Sequence, residues 1–183
     1  TRRRGGAGAP GLRHVAESCH VMMLRPFLVG LLASSASAGT TPEGKEWLAK
    51  KAQESGVVSR PSGLMYKVLK EAPADAKSPL VGTPCECHYA GTLIDGTEFD
   101  SSYKRGSPTT FAPNQVVRGW TEAMQLMGEG DKWELYLPSE LAYGDMQRGA
   151  HIKPGAVLVF TLEMLKVNGA SKPKPASSAD KEL

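Results

Sequence analysis

The feature that most constrains the fold of this 183-residue chain is a tight-turn signal between two segments predicted as strands. Residues 85–93 and 97–101 are the two segments, and Asp95-Gly96 lies between them. An Asp-Gly dipeptide readily adopts the backbone conformations that a short hairpin turn requires. The two segments are therefore predicted to pair antiparallel, which argues against an all-helical bundle.

Turn residues divide much of the chain into further short segments, since it contains 20 Gly and 13 Pro. Strands are predicted at 64–69, 133–137 and 156–167, with a loop at 73–84. Residues 115–127 form the one clear internal helix, because their apolar positions recur at intervals of three and four: Trp120, Ala123, Met124 and Met127. The fold class predicted is α+β, a curved antiparallel β-sheet packed around one short α-helix.

The segment before this domain is predicted to be a short N-terminal helix. Thr40-Thr41-Pro42 supplies a hydroxyl cap and a proline in the first turn, and Gly56 is a suitable terminator. Its narrow apolar face suits docking on the domain or on a partner. The domain boundaries expected are a leader in 1–38, the helix and linker in 39–60, the main domain in 61–169 and a flexible tail in 170–183.

Residues 22–38 have the layout of a secretory signal peptide. Arg25 precedes an apolar run at 27–33, and small residues follow, ending in Ala36-Ser37-Ala38. This pattern predicts cleavage before Gly39, and the apolar run is too short to span a bilayer. Residues 1–21 are rich in Arg and nearly free of acids, so a transit peptide is an alternative interpretation.

The C-terminal residues bear on location as well. The chain ends Asp180-Lys181-Glu182-Leu183, and the last two residues match an endoplasmic reticulum retention signal. With the signal peptide, this ending predicts the secretory pathway and the lumen of the endoplasmic reticulum. Another organelle lumen, such as that of a plastid, and secretion are the alternatives.

The overall net charge of +3 comes from the leader. Five of the 22 basic residues and one of the 19 acidic residues lie in residues 1–38, so the remainder has 17 basic and 18 acidic residues. A nearly neutral domain without a basic stripe gives no electrostatic reason to expect nucleic acid as a partner.

Several kinds of reactive site lack their sequence patterns here. There is no nucleophile elbow and no phosphate-binding glycine loop. Cys85 and Cys87 are predicted to share one face of a strand as packed, reduced thiols, with a redox pair as the alternative. His88 has no further ligands at suitable spacing, so neither a metal nor another cofactor is expected.

Four blocks in fixed order resemble the signatures of the FKBP (immunophilin) family. They are HYAGTL with DGTEFDSS at 88–93 and 95–102, VVRGWTEA at 116–123, LAYG at 141–144 and PGAVLVF at 154–160. Residues 44–48, 56–58 and 62–69 are similar to the macrophage infectivity potentiator-like subgroup. The resemblance implies the FKBP-like fold and peptidyl-prolyl cis-trans isomerase activity, which accelerates rotation of X–Pro bonds in client proteins during folding.

The resemblance also implies the partners. They are proline-containing client polypeptides and macrolide ligands such as rapamycin, with no membrane span. The subgroup often has a long dimerisation region, whereas a single short helix follows the leader here, so we expect a monomer, with a dimer as the alternative. A second hypothesis from a different class is an FKBP-like binding module or chaperone with little catalysis.

The resemblance assigns roles to individual residues. Trp120 is expected to form the pocket floor, Tyr143 to offer its hydroxyl, and the backbone N–H of Val117 to bind a substrate carbonyl. The pocket walls are expected from Tyr89, Phe99, Val116, Val117 and Phe160. Asp100, oriented by Arg105, is expected to lie beside the pocket. Phe111 and Ile152 are expected to make further substrate contacts. The rim departs from many members at Thr109 and from some at Arg148.

Overall fold

The structure is a computed structural model that describes residues 39–175. The predicted leader and the retention-like C-terminus lie outside these residues. No helix within 39–175 is both long enough and apolar enough to cross a membrane.

The described chain contains nine strands and three α-helices. The strands are β1 (Val57–Ser59), β2 (Met65–Lys70), β3 (Lys77–Pro79), β4 (Cys85–Leu93), β5 (Glu98–Ser101), β6 (Thr109–Phe111), β7 (Lys132–Leu137), β8 (Leu158–Val167) and β9 (Ser171–Pro173). The helices are α1 (Pro42–Lys51), α2 (Ser102–Arg105) and α3 (Arg118–Leu126). Short 3-10 turns occupy Pro113–Gln115 and Ser139–Leu141.

Seven strands form one antiparallel sheet, in the order β1-β2-β7-β8-β4-β5, with β6 also paired to β4. β3 and β9 form a separate two-stranded ladder. The predicted hairpin is confirmed: β4 pairs antiparallel with β5, and the turn between them contains Gly96 at φ 85°. The α+β class is confirmed as well.

Helix α3 supplies one side of the core. All four apolar positions predicted for its buried face are buried, with Trp120 5% exposed and Ala123, Met124 and Met127 fully covered. They pack in one cluster with side chains of the central strands β7, β8 and β4, which include Trp133, Leu135, Leu137, Leu162, Met164, Cys85 and Cys87. Burial of this apolar face, rather than helix propensity alone, stabilises so short a helix.

Helix α1 docks on the sheet through Tyr136 of β7. The Thr41 hydroxyl caps the helix by accepting a hydrogen bond from the Gly44 N–H at 3.1 Å. The Trp47 ring meets the Tyr136 ring edge-on at 5.8 Å, and the Lys51 ammonium lies 5.2 and 5.5 Å from the two ring centroids. Of the two alternatives raised by the sequence, the structure shows docking on the domain.

Five predicted assignments need correction. α1 ends at Lys51, before Gly56, and α3 starts only at Arg118 because Val116 and Val117 are extended. β3 forms inside the segment predicted as a loop. β1 lies in the segment expected to be linker, and β9 in the segment expected to be flexible tail. β3 and β9 pair across nearly a hundred residues of chain, and no local pattern signals such pairing.

Candidate active site

The candidate site forms where one edge of β4 is interrupted. β5 and β6 both pair with β4, at different positions along it, and α2 bulges out between them. Ser102 of α2 fills the gap in the ladder, since its hydroxyl accepts from the Tyr89 N–H at 2.7 Å and lies 3.2 Å from the Tyr89 carbonyl oxygen. The bulge leaves Tyr89 fixed in the sheet while opening space beside its ring.

Aromatic rings surround Trp120 on three sides. Its ring centroid lies 5.3 Å from that of Tyr89, 5.3 Å from Phe111 and 5.0 Å from Phe160; the Tyr89 and Phe160 rings meet it edge-to-face, and the Phe111 ring is tilted at 53°. Phe99 in turn meets Phe160 edge-to-face at 5.6 Å. Such edge-to-face pairs are favourable beyond the area they bury, so the rings hold one another in place.

Gly91 of β4 makes room for the Phe99–Phe160 pair. A Cβ atom at this position would lie 2.6 Å from Phe99 and 2.8 Å from Phe160, which is closer than non-bonded carbon atoms approach. The absence of a side chain at position 91 is thus a requirement for the arrangement of these two rings.

A polar cluster lies beside the rings. The Tyr89 hydroxyl donates to Asp100 Oδ2 at 2.6 Å and accepts from Arg105 Nη2 at 2.8 Å, and Arg105 also pairs with the Asp100 carboxylate. Burial opposes ionisation of Asp100, but the hydrogen bonds from Tyr89 and Arg105 outweigh it, so the pKa of Asp100 lies below its usual value. Burial, together with the bond to Asp100, raises the pKa of Tyr89. At neutral pH the cluster therefore contains a carboxylate, a neutral phenol and a guanidinium.

The segment after β7 forms the opposite side of the candidate site. A 3-10 turn at Ser139–Leu141 leads into Tyr143, and the Arg148 guanidinium lies 5.2 Å from the Tyr143 ring centroid. Two hydrogen bonds anchor the segment: Gly144 N–H to the Ser139 carbonyl at 2.8 Å, and Gly155 N–H to the Gly144 carbonyl at 2.9 Å.

These elements enclose a cavity of about 460 Å³. It is lined by nine of the eleven residues predicted from the sequence: Tyr89, Phe99, Asp100, Phe111, Val116, Val117, Trp120, Tyr143 and Phe160. Arg105 does not line the cavity and acts on it through Asp100 and Tyr89. Ile152 does not line it either: it is 6% exposed and packed in the core cluster, and its expected position as an apolar lip stays a prediction.

Further lining residues had no role assigned from the sequence. Gln115, Ala142 and Met146 line the cavity together with Thr109 and Arg148 of the rim. Gln115 also supports the 3-10 turn, because its side-chain oxygen accepts from the Ala112 N–H at 2.9 Å. Each of these residues lies next to a signature block, and that adjacency is the only sequence signal that marks them.

The two strand cysteines are free and fully buried. Burial raises the pKa of the Cys85 thiol to about 11 and that of the Cys87 thiol further. A thiol with so high a pKa has almost no thiolate at neutral pH, and thiolate is the reactive form. The cysteines are thus packed thiols, as predicted, and the redox alternative loses its basis.

Two family profiles match the chain. "FKBP-type peptidyl-prolyl cis-trans isomerase" matches residues 76–165, which include the whole cavity lining, and "Domain amino terminal to FKBP-type peptidyl-prolyl isomerase" matches residues 32–68. The first match supports the interpretation of the signature blocks, and the second supports the likeness to a subgroup with an N-terminal region.

Individual proteins give the same result. Macrophage infectivity potentiator of Trypanosoma cruzi is 42% identical over 140 residues, which are 76% of this chain and 71% of that protein. Outer membrane protein MIP of Legionella longbeachae is 43% identical over 129 residues, 70% of this chain but only 54% of that protein. The crystal structure of FkpA from Escherichia coli superposes with a TM-score of 0.65 at 41% identity and covers 73% of this chain and 59% of that one.

The chain thus spans only about half the length of some relatives and over two thirds of another. The isomerase profile match at residues 76–165 contains helix α3 and every residue that lines the cavity. The chain belongs to the FKBP-type peptidyl-prolyl cis-trans isomerases, the enzymes that accelerate rotation about the peptide bond preceding proline.

Proposed function

We propose that the aromatic cavity is the catalytic site, and that it binds the proline ring of an X–Pro segment above the indole of Trp120. The observation that carries this proposal is the arrangement of Tyr89, Phe111 and Phe160 around Trp120 at ring separations of 5.0–5.3 Å. A cavity of about 460 Å³ is of the size that binds small ligands and can receive a prolyl residue with its neighbour.

The chemistry required of the cavity is modest. Rotation about X–Pro is slow because it breaks amide resonance, with a barrier of about 18–20 kcal/mol. The planar amide is strongly dipolar, whereas the twisted transition state has lost much of that charge separation. An apolar, aromatic floor and wall therefore disfavour the planar form more than the twisted one, which is differential stabilisation of the transition state.

Polar groups at the rim would orient the substrate. The N–H of Val117 and the hydroxyl of Tyr143 are the proposed donors to substrate carbonyl groups. Arg105 and Asp100 are proposed to hold the Tyr89 ring at the cavity wall. Since Asp100 is tied to both Tyr89 and Arg105, it is a positioning group rather than a proton donor.

Proline-containing clients and macrolides such as rapamycin are the proposed ligands of this one cavity. The family match at residues 76–165 supports both. Thr109 and Arg148 line the rim, so they are proposed to set the preference for the residue before proline and the affinity for macrolides.

The proposed location is the secretory or export pathway. The leader-like segment before Gly39 supports it, as does the similarity to a protein named for the outer membrane. The similarity favours export in general, and only the C-terminal residues favour the endoplasmic reticulum lumen. Microscopy of the full chain carrying an internal tag after Ala176 would separate these locations without masking either end. Signal from an exported compartment supports the proposal, and cytosolic signal contradicts it.

The direct test of function uses a Leu-Pro test peptide and the purified protein. Cis-to-trans conversion should become faster in proportion to protein concentration, and rapamycin should suppress the gain by occupying the same cavity. Conversion at the uncatalysed rate with a folded sample would contradict the proposal and favour the binding-module alternative. Acceleration that rapamycin does not affect would retain catalysis and place the difference at Thr109 and Arg148.

A further inference from the structure

The first described residues are anchored to the segment that carries Tyr143. Gly39 N–H donates to Asp145 Oδ1 at 3.0 Å, and Thr40 N–H donates to Glu140 Oε1 at 2.9 Å. Thr40 is 5% exposed, and its hydroxyl contacts Glu140 Oε2 at 2.6 Å and accepts from the Ser139 N–H at 2.8 Å. Residues 39 and 40 thus contact both ends of the stretch 139–145.

The backbone conformation at position 39 favours glycine. Its φ is 140°, and a Cβ atom would lie 2.7 Å from Glu140 Oε1. The segment at Gly155 lies equally close, because a Cβ atom at position 155 would lie 2.7 Å from the Gly39 carbonyl oxygen. Thr41 N–H donates to the Gly155 carbonyl at 3.0 Å, which closes the other side of this site.

The charges around Gly39 N suit a cation. Two carboxylates, Asp145 and Glu140, face residues 39 and 40. Burial opposes ionisation of Glu140, but hydrogen bonds from Thr40 outweigh it and keep the pKa of Glu140 below its usual value. The cationic groups next to Glu140 are Lys45 and Arg118, the latter donating to the Glu140 carbonyl. A neutral peptide N–H at Gly39 donates a hydrogen bond but carries no charge to offset the two carboxylates.

The sequence places a cleavage pattern directly before this residue, since Ala36-Ser37-Ala38 ends at Gly39. We propose that the Ala38–Gly39 bond is a processing site and that the resulting α-ammonium of Gly39 binds Asp145, next to Glu140, and orders the segment bearing Tyr143. A leader peptidase would add water across this bond. The C–N bond breaks, Ala38 keeps a carboxylate and Gly39 keeps an amine that takes up a proton.

This inference rests on the proposed export and on the proposed role of the cavity. Tyr143 lines the cavity and is two residues before Asp145. Removal of the leader, which matures the chain, would thereby also make the cavity wall that contains Tyr143 better ordered. The new N-terminus acts as a positioning group, because its contacts are with Asp145 and not with the substrate.

The test keeps the whole chain. Residues 32–38 are replaced by a recognition sequence for a protease that cuts immediately before Gly39, and one preparation is measured before and after cutting. Cutting should raise the melting temperature by about 0.5–4 °C, the size expected for one exposed ion pair in a chain of this length. Asp145→Asn should abolish the gain, whereas Asp75→Asn, which removes an exposed carboxylate elsewhere, should leave it intact.

A second readout is specific to the amine. Its pKa should exceed the ordinary value of about 7.7–8.0 in the cut protein and return towards it in Asp145→Asn. Because the folded-state pKa is raised, the thermal gain is present at lower pH and disappears as the pH rises through that pKa. An amine of ordinary pKa, or an equal thermal gain in Asp145→Asn, would overturn the inference.

Its failure is distinguishable from failure of the proposed function. Mass spectrometry of the exported chain should find Gly39 as the first residue, and any other start would overturn the processing site whatever the isomerase assay shows. A raised amine pKa in a protein without isomerase activity would leave the ammonium site standing and remove the proposed function. An ordinary amine pKa in an active protein would remove the ammonium site and leave the proposed function standing.

Discussion

Asp100 shows how a residue outside the aromatic cluster can control it. Its carboxylate accepts from the Tyr89 hydroxyl and pairs with Arg105, and Tyr89 is one wall of the cavity. The sequence could place Asp100 next to Phe99 in a signature block. It could not show that the α2 bulge returns Arg105 to the same carboxylate, because that depends on where the chain leaves the sheet.

Asp100→Asn should lower the free energy of unfolding by about 0.5–1 kcal/mol at pH 7, the range for a solvent-screened ion pair. The pKa of Asp100 is depressed in the folded state, so its contribution is present above the unfolded pKa of about 3.9 and is lost as the pH falls through the folded value. Urea unfolding at several pH values measures this. A difference between the two proteins that does not shrink as the pH falls below about 3.9 would contradict the assignment.

Adding one methyl group at Gly91 tests whether the arrangement of the Phe99 and Phe160 rings matters. Gly91→Ala places a methyl group within 2.8 Å of both Phe99 and Phe160, so the rings must shift. Overpacking of this kind costs about 1–3 kcal/mol, and we expect kcat/KM to fall by about tenfold. Gly82→Ala is the matched control, since its nearest neighbour lies at 3.9 Å. Unchanged kcat/KM in Gly91→Ala would show that the ring pair does not shape the site.

At the scale of elements, the docked helix α1 should matter for stability and not for catalysis. Trp47 contacts Tyr136, and neither residue lines the cavity. Trp47→Ala should lower the free energy of unfolding by about 1–2 kcal/mol through loss of the ring pair and the Lys51 contact. The value of kcat/KM, measured where both proteins are folded, should change less than about twofold. A large catalytic loss at unchanged stability would instead connect α1 to the active site.

The elements that sequence analysis found are those with a local signal. Periodicity predicted α3, and Asp95-Gly96 predicted the β4–β5 hairpin. β3 and β9 were not predicted because their pairing partners are distant, and each is only three residues long. β6 was hidden for a related reason: it resumes the edge of β4 only after the α2 bulge.

At the scale of the whole molecule, nine of the eleven residues named from the signature blocks lie together around one cavity, and their roles in catalysis stay predictions. The other two, Arg105 and Ile152, do not line it. Ile152 is apolar and adjacent to rim positions, so sequence alone could not distinguish a lip from a core contact. The structure places it in the core. Positioning groups such as Ser102 were missed because a hydroxyl that repairs a gap in a sheet has no sequence pattern of its own.

Catalysis is proposed to belong to the aromatic cavity and not to the fold in general. The chain offers a matched pair for this claim: Trp120 is 5% and Trp133 4% exposed, and neither indole N–H has an acceptor within the described residues. Trp120 is the proposed cavity floor, whereas Trp133 stacks on Tyr66 at 4.2 Å and does not line the cavity. Truncating either should cost about 2–4 kcal/mol of stability.

The decisive measurement is kcat/KM for the Leu-Pro peptide in Trp120→Leu and Trp133→Leu, at a temperature where circular dichroism shows both folded. Phe replacements at both positions provide a milder pair if either Leu variant fails to fold. If catalysis belongs to the cavity, kcat/KM should fall about tenfold or more for position 120, or about 1.4 kcal/mol in barrier, and less than about twofold for position 133. Equal losses at the two positions, or full activity without Trp120, would contradict it.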